Sequence, residues 1–217
     1  MARNVDKSSV PAVTVPRLAL YLRKLRELKA QGIARISSQH LAELIELNPA
    51  QIRKDFSYFG EFGTRGVGYE VERLEEEIGK CLGLWRSWSV IILGAGKLGR
   101  ALVQYRGFAE YQFNVVGVFD NSEHVIGANY GAGRVRSVAE LEEFCAQQPV
   151  DIAMITVPAA VAEETIGKAV GAGIKAILNF APVKVHVPDD VVIRQVDLSS
   201  ELMFLSFYLD RECEPGE

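Results

Sequence analysis

Trp88 to Gly99 reads WSVIILGAGKLG. Val90 to Leu93 is a short apolar run, the pattern of a strand buried on both faces. It leads straight into Gly94-x-Gly96-x-x-Gly99. Gly94 permits a tight turn out of the strand. Gly96 has no Cβ, so a pyrophosphate can approach the backbone, and Gly99 lets the next helix pack closely on the sheet. The start of that helix offers free N–H groups and a partial positive charge to phosphates. A second run, Asn114 to Asp120 (NVVGVFD), ends in an acid 21 residues past Gly99. That is where a carboxylate meets the ribose hydroxyls of a bound dinucleotide. The alternative is that the glycines only make a strand–helix turn and Asp120 only ends a strand.

The chain has 217 residues, 48% of them hydrophobic, enough for one large domain or two modest ones. No apolar run is long enough to span a membrane. The stretch MARNVDKSSVPAV lacks the apolar centre of a signal peptide. Cys81, Cys145 and Cys213 are far apart and odd in number, so neither a disulfide framework nor a metal spacing is expected. His40, His124 and His186 are equally scattered. A cytoplasmic protein without a bound metal is the expectation. The net charge of −4 hides an asymmetry: residues 1–70 hold 11 Lys+Arg against 7 Asp+Glu, and residues 71–217 hold 13 against 21. A basic front on an acidic body suggests two domains, the first facing a polyanion.

Residues 1–13 read as a loose arm. Pro16 suits a first helical turn, and Leu18, Leu22, Leu25 and Leu28 recur at helical spacing. Arg17, Arg23, Lys24, Arg26 and Lys29 fall largely on other faces, and Gly32 ends the helix. A short bridge with Ile33 and Ile36 leads to a second helix, from Ser37 or Ser38 to about Leu47. In Asn48-Pro49-Ala50-Gln51 an N-cap, a first-turn proline and a capping-box glutamine coincide, which predicts a third helix from Pro49 to about Phe59. Two short helices joined by a tight turn form a helix-turn-helix, whose second helix enters the major groove of double-stranded DNA. That helix carries Gln51, Arg53, Lys54, Ser57 and Tyr58, while Ile52, Phe56 and Phe59 can face inward. Arg and Gln suit base edges, and Lys and Ser suit phosphates. A small helical domain with a solvated basic face is the plainer alternative.

Gly60 to Tyr69, GEFGTRGVGY, holds four glycines with aromatics and Val67 among them. It reads as a hairpin wing, with Arg65 at its tip reaching a phosphate or minor groove. Val71 to Leu84 returns to helical period through Leu74, Ile78 and Leu82. Glu75-Glu76-Glu77 reads as a solvated face, and Leu84 to Trp88 as a domain boundary. Beyond it, strands are expected near 89–93, 114–120, 151–156, 175–180 and 191–196. Helices are expected near 97–107, 137–147, 159–172 and 199–210, with Ser137 and Glu140 as a capping box. This alternation predicts a Rossmann-type parallel sheet whose ligand sits at the strand carboxyl ends. Those ends include Thr156-Val157-Pro158 and Asn179-Phe180-Ala181-Pro182, where Thr156 and Asn179 offer a hydroxyl and an amide.

QIRKDFSYFGEFGTRGVGY (51–69), GAGKLGRAL (94–102), TVP (156–158) and NFAPV (179–183) together resemble the Rex family of redox-sensing transcriptional repressors. The likeness covers nearly everything from Pro16 to about Leu209. It implies an α/β protein with a winged helix-turn-helix domain over 1–84, a Rossmann domain over 85–198, and a C-terminal helix and tail over 199–217 exchanged within a homodimer. It implies binding to a palindromic operator, with release when NADH rises relative to NAD⁺. By the same resemblance Gly94, Ala95, Gly96, Lys97, Leu98 and Gly99 hold the pyrophosphate and Asp120 the adenosine ribose. Tyr105 and Asp197 lie near the nicotinamide, and Leu202, Phe204, Leu205 and Phe207 sit on the exchanged helix. That helix is apolar over a wide arc, which independently favours burial against something. Asp120 favours NAD over NADP, because a 2′-phosphate beside a carboxylate is repelled.

The two cofactor forms differ by one charge on the nicotinamide ring, and a buried charge counts for more than one in water. The expectation is that Asp197 changes its pairing with Tyr105 or a cation, for which Arg23 is the candidate. Two other readings compete. A small NAD-dependent dehydrogenase would need a placed acid/base, yet His124 and His186 have no recognisable catalytic spacing. A coenzyme A or other nucleotide-binding module shares the glycine loop, but it leaves the basic front unexplained.

Overall fold

The computed structural model describes residues 10–60, 62, 68–131 and 133–209. The chain forms two compact units, Met1–Arg86 and Ser87–Glu217.

In the first unit α1 (Thr14–Ala30) buries Leu18, Tyr21, Leu22, Leu25 and Leu28 on one stripe. It ends in a Schellman motif: Gly32 takes φ +75°, its N–H donates to Lys29 O, and the Ile33 N–H donates to Leu28 O. Residues 35–36, read as a bridge, are a strand. β1 (Arg35–Ile36) pairs antiparallel with β2 (Tyr69–Glu70), so the pairing partner of the predicted wing comes from before the helix-turn-helix. Gly68 lies against this pairing, where a Cβ would come within 2.7 Å of Ile36 O. Phe62 and Tyr69 pack edge-on against Phe56, so these two aromatics anchor the segment. Arg65 and Val67 lie outside the described residues.

Helix α2 (Ser38–Leu44) starts on the Ser37 hydroxyl, which accepts from His40 N–H at 3.0 Å. It stops three residues before the expected Leu47. Glu46 takes the left-handed φ of +54°, and the Leu47 N–H returns to Ala42 O. This is a glycine-type stop without a glycine. Helix α3 (Pro49–Ser57) has Asn48 as its N-cap, accepting from Ala50 N–H at 2.8 Å. The predicted capping box is not made, because the Gln51 amide turns to Asp55 instead. Helix α4 (Val71–Cys81) buries Val71, Leu74 and Ile78. Glu75 is not the solvated residue expected: it is largely buried and pairs with Arg26 and Lys29 of α1.

The second unit is a six-stranded, all-parallel sheet. Its strands are β3 (Trp88–Leu93), β4 (Phe113–Asp120), β5 (Arg136–Ser137), β6 (Ile152–Ile155), β7 (Ala176–Asn179) and β8 (Val192–Gln195), in spatial order β5-β4-β3-β6-β7-β8. Numbered from β3, that is the 3-2-1-4-5-6 order of doubly wound nucleotide-binding sheets. Alternate residues of β3 feed two cores. Ile91 and Leu93 pack with Phe119, Ile155, Ile166 and Ile177, and Val90 and Ile92 pack with Val118 and Met154. This two-sided burial is why the strand reads as a continuous apolar run.

The helices are α5 (Lys97–Val103), α6 (Gly107–Glu110), α7 (Leu141–Gln147), α8 (Ala159–Gly171) and α9 (Leu198–Leu209). The helix expected over 97–107 is therefore broken. Tyr105 sits in the gap, with its ring against Gly107, where a Cβ would lie within 2.6 Å of it. β5 went unpredicted because two residues carry no alternation. The capping box at Ser137 and Glu140 is present, and it opens a 3-10 turn that runs into α7.

Candidate functional site

The topological switch point lies between β3 and β6, where strand order reverses and ligands of such sheets bind. In register, Leu93 is level with Phe119 and Ile155, and Ile155 with Asn179. The predicted residues at 93–99, 119–120, 156–158 and 179–182 therefore share one edge. The glycine loop has a separate reason for each glycine. Gly94 has φ +113° and no room, since a Cβ would sit 2.8 Å from the Thr156 backbone. At Gly99 a Cβ would lie 1.9 Å from Gly94 O. At Gly96 it would meet nothing within 4 Å, so this glycine faces open space at the turn. The residues therefore fit a dinucleotide's pyrophosphate: two glycines shape the loop and the third leaves its outer face clear. Lys97 and Leu98 begin α5 on that exposed side.

Side chains hold this loop in place. The Thr156 hydroxyl donates its one hydrogen to Gly94 O at 2.7 Å, with Leu93 O as a longer, shared acceptor at 3.2 Å. Its donor is spent on the loop, not offered to a ligand. Asp120 Oδ2 accepts from Ala95 N–H at 2.6 Å, and Oδ1 accepts from Ser122 N–H at 2.8 Å. Tyr130, which sequence reading passed over, donates its hydroxyl to Ala95 O at 3.0 Å. Asn179 is fully buried and its amide is committed: the two N–H groups of Nδ2 are shared among Gln195 Oε1 at 2.8 Å and Ala181 O and Val183 O at 3.2 Å, and Oδ1 accepts from Ala181 N–H. The expectation of a free amide there is corrected; Asn179 shapes the 180–183 turn. Gln195, also unpredicted, completes the clasp by donating to Ala181 O at 2.6 Å. Val157 and Phe180 are half-buried, Ala181 is buried, and Pro158 and Pro182 are exposed.

Among the described residues, Asp197 holds neither Tyr105 nor a cation. Its oxygens accept from Ser199 N–H and the Ser200 hydroxyl, both at 2.9 Å, making it the N-cap of α9. The Ser200 hydroxyl, followed by the Ser199 N–H, keeps its carboxyl below the ordinary range. Tyr105 is 60% exposed and packs edge-on against Phe108. Beyond Asp197, all twelve residues of α9 are exposed in the single chain. Among the described residues, no group of three or more His, Cys, Asp or Glu could hold a metal ion, and no helix is long and apolar enough to cross a membrane.

In the first unit, Arg53, Lys54 and Ser57 are exposed on α3 and Tyr58 follows it half-buried. Arg53 Nη1 donates to Ser38 Oγ at 3.0 Å, tying the two helices of the motif, and Ser57 donates back to Lys54 O. Gln51 is not free to read a base. Its amide donates to Asp55 Oδ1 at 2.8 Å. Asp55 is fully buried and is the centre of a network that sequence reading missed. Arg17 grips it with Nε and Nη2 at 2.6 and 2.7 Å, and the Tyr21 hydroxyl donates at 2.6 Å. Burial alone would raise the Asp55 carboxyl, but the hydrogen bonds from Arg17, Tyr21 and Gln51 outweigh it and hold it below the usual carboxylate range. Burial and the Asp55 hydrogen bond push the Tyr21 phenol up. Arg17 is thus no solvated charge. It locks α1 to the helix that carries Arg53 and Lys54. Arg23 is exposed on α1.

Two family models match parts of the chain. Residues 86–183 match one described as "CoA binding domain", and residues 9–57 one described as "Putative DNA-binding protein N-terminus". The chain is 45% identical over 203 residues to the redox-sensing transcriptional repressor Rex of Carboxydothermus hydrogenoformans, covering 94% of this chain and 98% of that one. It is 44% identical to the repressor Rex of Syntrophomonas wolfei, covering 92% and 95%. Among solved structures, RSP in complex with β-NAD⁺ and operator DNA superposes with a TM-score of 0.89 at 39% identity, covering 94% of each chain. RSP, described as a Rex-family repressor, also superposes in complex with β-NADH, with a TM-score of 0.87 at 38% identity over 95% and 97%. The chain belongs to the Rex family of redox-sensing transcriptional repressors.

Proposed function

We propose that this protein binds palindromic operator DNA as a homodimer and releases it when NADH rises relative to NAD⁺. The observation that carries the reading is the braced glycine loop at the switch point of a 3-2-1-4-5-6 sheet, in a chain that also presents Arg53 and Lys54 on a short second helix. Residues 94–99 would hold the pyrophosphate and Asp120 the adenosine ribose. Val157, Pro158, Phe180, Ala181 and Pro182 would border the cleft, with Thr156 and Asn179 supporting it from behind. Tyr105 and Asp197 would lie toward the nicotinamide. When bound, the dinucleotide supplies a charge difference of one between its two forms, not a chemical step. Asp197 is suited to feel that difference and pass it on, since its carboxylate starts α9. A second copy of this chain would cover α9, whose Leu202, Phe204, Leu205 and Phe207 are each more than half exposed. Arg53, Lys54, Ser57 and Tyr58 would face the DNA, with Arg65 reaching it from the wing. Arg23 is the candidate link between redox state and DNA binding. If NADH removes an Arg23→Ala variant from DNA at wild-type concentrations, Arg23 has no such role.

Gel shifts on palindromic duplexes, with NADH and NAD⁺ titrated separately at fixed salt, test the proposal. Salt is fixed because phosphate contacts make binding steeply salt-dependent. NADH is expected to release the DNA at concentrations where NAD⁺ does not. The match to a CoA-binding model favours a second reading, in which coenzyme A is the ligand. Asp120 argues against it, because a carboxylate suits a ribose diol and repels a 3′-phosphate. Calorimetric titration with NADH and with coenzyme A separates the two.

A further inference from the structure

The segment between β4 and β5 brings a side chain to the glycine loop that the resemblance to relatives does not assign. It is a hairpin, with Gly127 N–H donating to Val135 O at 2.8 Å, Val135 N–H to Ala128 O at 2.9 Å, and a bridge between Asn129 and Arg134. Val135 is buried in the same cluster as Ile92 and Ala95, and Val125 and Tyr130 pack against that cluster. The hairpin is thus anchored in the core on the side of the loop. From there Tyr130 donates to Ala95 O at 3.0 Å, while Ala95 N–H donates to Asp120 Oδ2 at 2.6 Å. Both backbone polar groups of Ala95 are therefore held by side chains. The Arg100 guanidinium lies 5.2 Å from the Tyr130 ring centroid and steadies the ring.

We propose that Tyr130 is a positioning residue for the pyrophosphate of the bound dinucleotide, aiming the Gly96 N–H through its grip on the Ala95 carbonyl. This rests on reading the sheet edge as the NAD(H) site. In a trans peptide, the carbonyl of one residue and the N–H of the next point in opposite directions across a rigid plane. A donor fixed to Ala95 O therefore fixes the direction of the Gly96 N–H on the opposite side. Gly96 is also the position where a Cβ would meet nothing within 4 Å. Without Tyr130, the side chains that remain on this turn, Thr156 on Gly94 O and Asp120 on the Ala95 N–H, both grip the preceding peptide.

The test uses the full chain and the variant Tyr130→Phe, which keeps the ring and removes the hydroxyl. Affinities for NADH, NAD⁺, ADP-ribose and adenosine are measured by calorimetry or ligand-observed NMR. One neutral hydrogen bond corresponds to about a threefold to tenfold change in affinity. The three pyrophosphate ligands are expected to weaken together by about that factor, and adenosine, which has no phosphate, to bind unchanged. A merely structural role would move adenosine too. Unchanged ADP-ribose affinity, or equal loss for adenosine, overturns the proposal. A wild-type chain that binds none of the pyrophosphate ligands overturns the NAD(H) reading instead.

Discussion

At the scale of single residues, Asp55 shows how a charge can decide a recognition surface without touching the partner. It is fully buried and held by Arg17, Tyr21 and Gln51, so the exposed Arg53 and Lys54 stand on a helix that cannot rotate freely. Breaking a buried pair costs about 3–5 kcal/mol. Arg17 keeps about a quarter of its side chain exposed and can rehydrate, which places Asp55→Ala near the lower end, about 3 kcal/mol. Urea unfolding should show that loss, and DNA affinity should fall while NADH affinity holds. The sign of the pH dependence follows from the lowered Asp55 carboxyl. Its stabilisation is complete above the ordinary aspartate value of about 3.9, and it is lost as pH falls through the folded value below that. The first unit should thus keep its Asp55 contribution at pH 5 and lose it only in stronger acid, as a far-UV circular dichroism titration would read. Asp55 was overlooked in the sequence because an acid beside Arg53 and Lys54 looks like ordinary surface charge. Of its partners, Tyr21 and Arg17 lie 34 and 38 residues away, beyond any local pattern.

At the scale of elements, what was legible was periodic. The stripe of α1, the run of β3 and the capping box before α7 follow from spacing and cap chemistry alone. What was illegible ended or began without a marker. Helix α2 closes on Glu46 in the left-handed region, a position where glycine is the usual signal. Glu46→Gly should relieve that strain and raise stability by about 0.5–1 kcal/mol, measurable as a higher urea midpoint with unchanged slope. β1, β2 and β5 have two residues each, too few for alternation to register. At the break between α5 and α6 the Tyr105 ring lies on Gly107, a contact that spacing does not encode. α9 is a different case. Its apolar character was plain, and in the single chain it has no buried residue. Phe204→Asp together with Phe207→Asp should leave NADH binding intact while sedimentation shows a shift from dimer to monomer. A variant that stays dimeric would remove α9 from the interface.

At the scale of the whole molecule, function follows from having two units with different chemistry in one chain. One presents cations on a short helix set by a buried ion pair. The other presents a braced backbone loop at a sheet switch point. The fold class and the cleft's location could be read in sequence because glycine spacing and strand–helix alternation are local patterns. The division of labour within the cleft could not. Thr156, Asn179 and Asp197 have the residue types of ligand contacts, yet their bonds run to Gly94, the 181–183 turn and the start of α9. Such commitments depend on which neighbours the fold brings within 3 Å or so. Binding alone moves no equilibrium: a ligand shifts two states only by its difference in affinity between them, and a swing from 1:99 to 99:1 needs about 5.5 kcal/mol. Release of DNA therefore depends on a difference between NADH and NAD⁺. It is tested most directly by the fluorescence anisotropy of a labelled palindromic duplex, at constant protein, salt and total dinucleotide, while the NADH share is raised. A steep loss of bound DNA is expected as NADH displaces NAD⁺; DNA binding indifferent to that ratio would rule out release controlled by NADH.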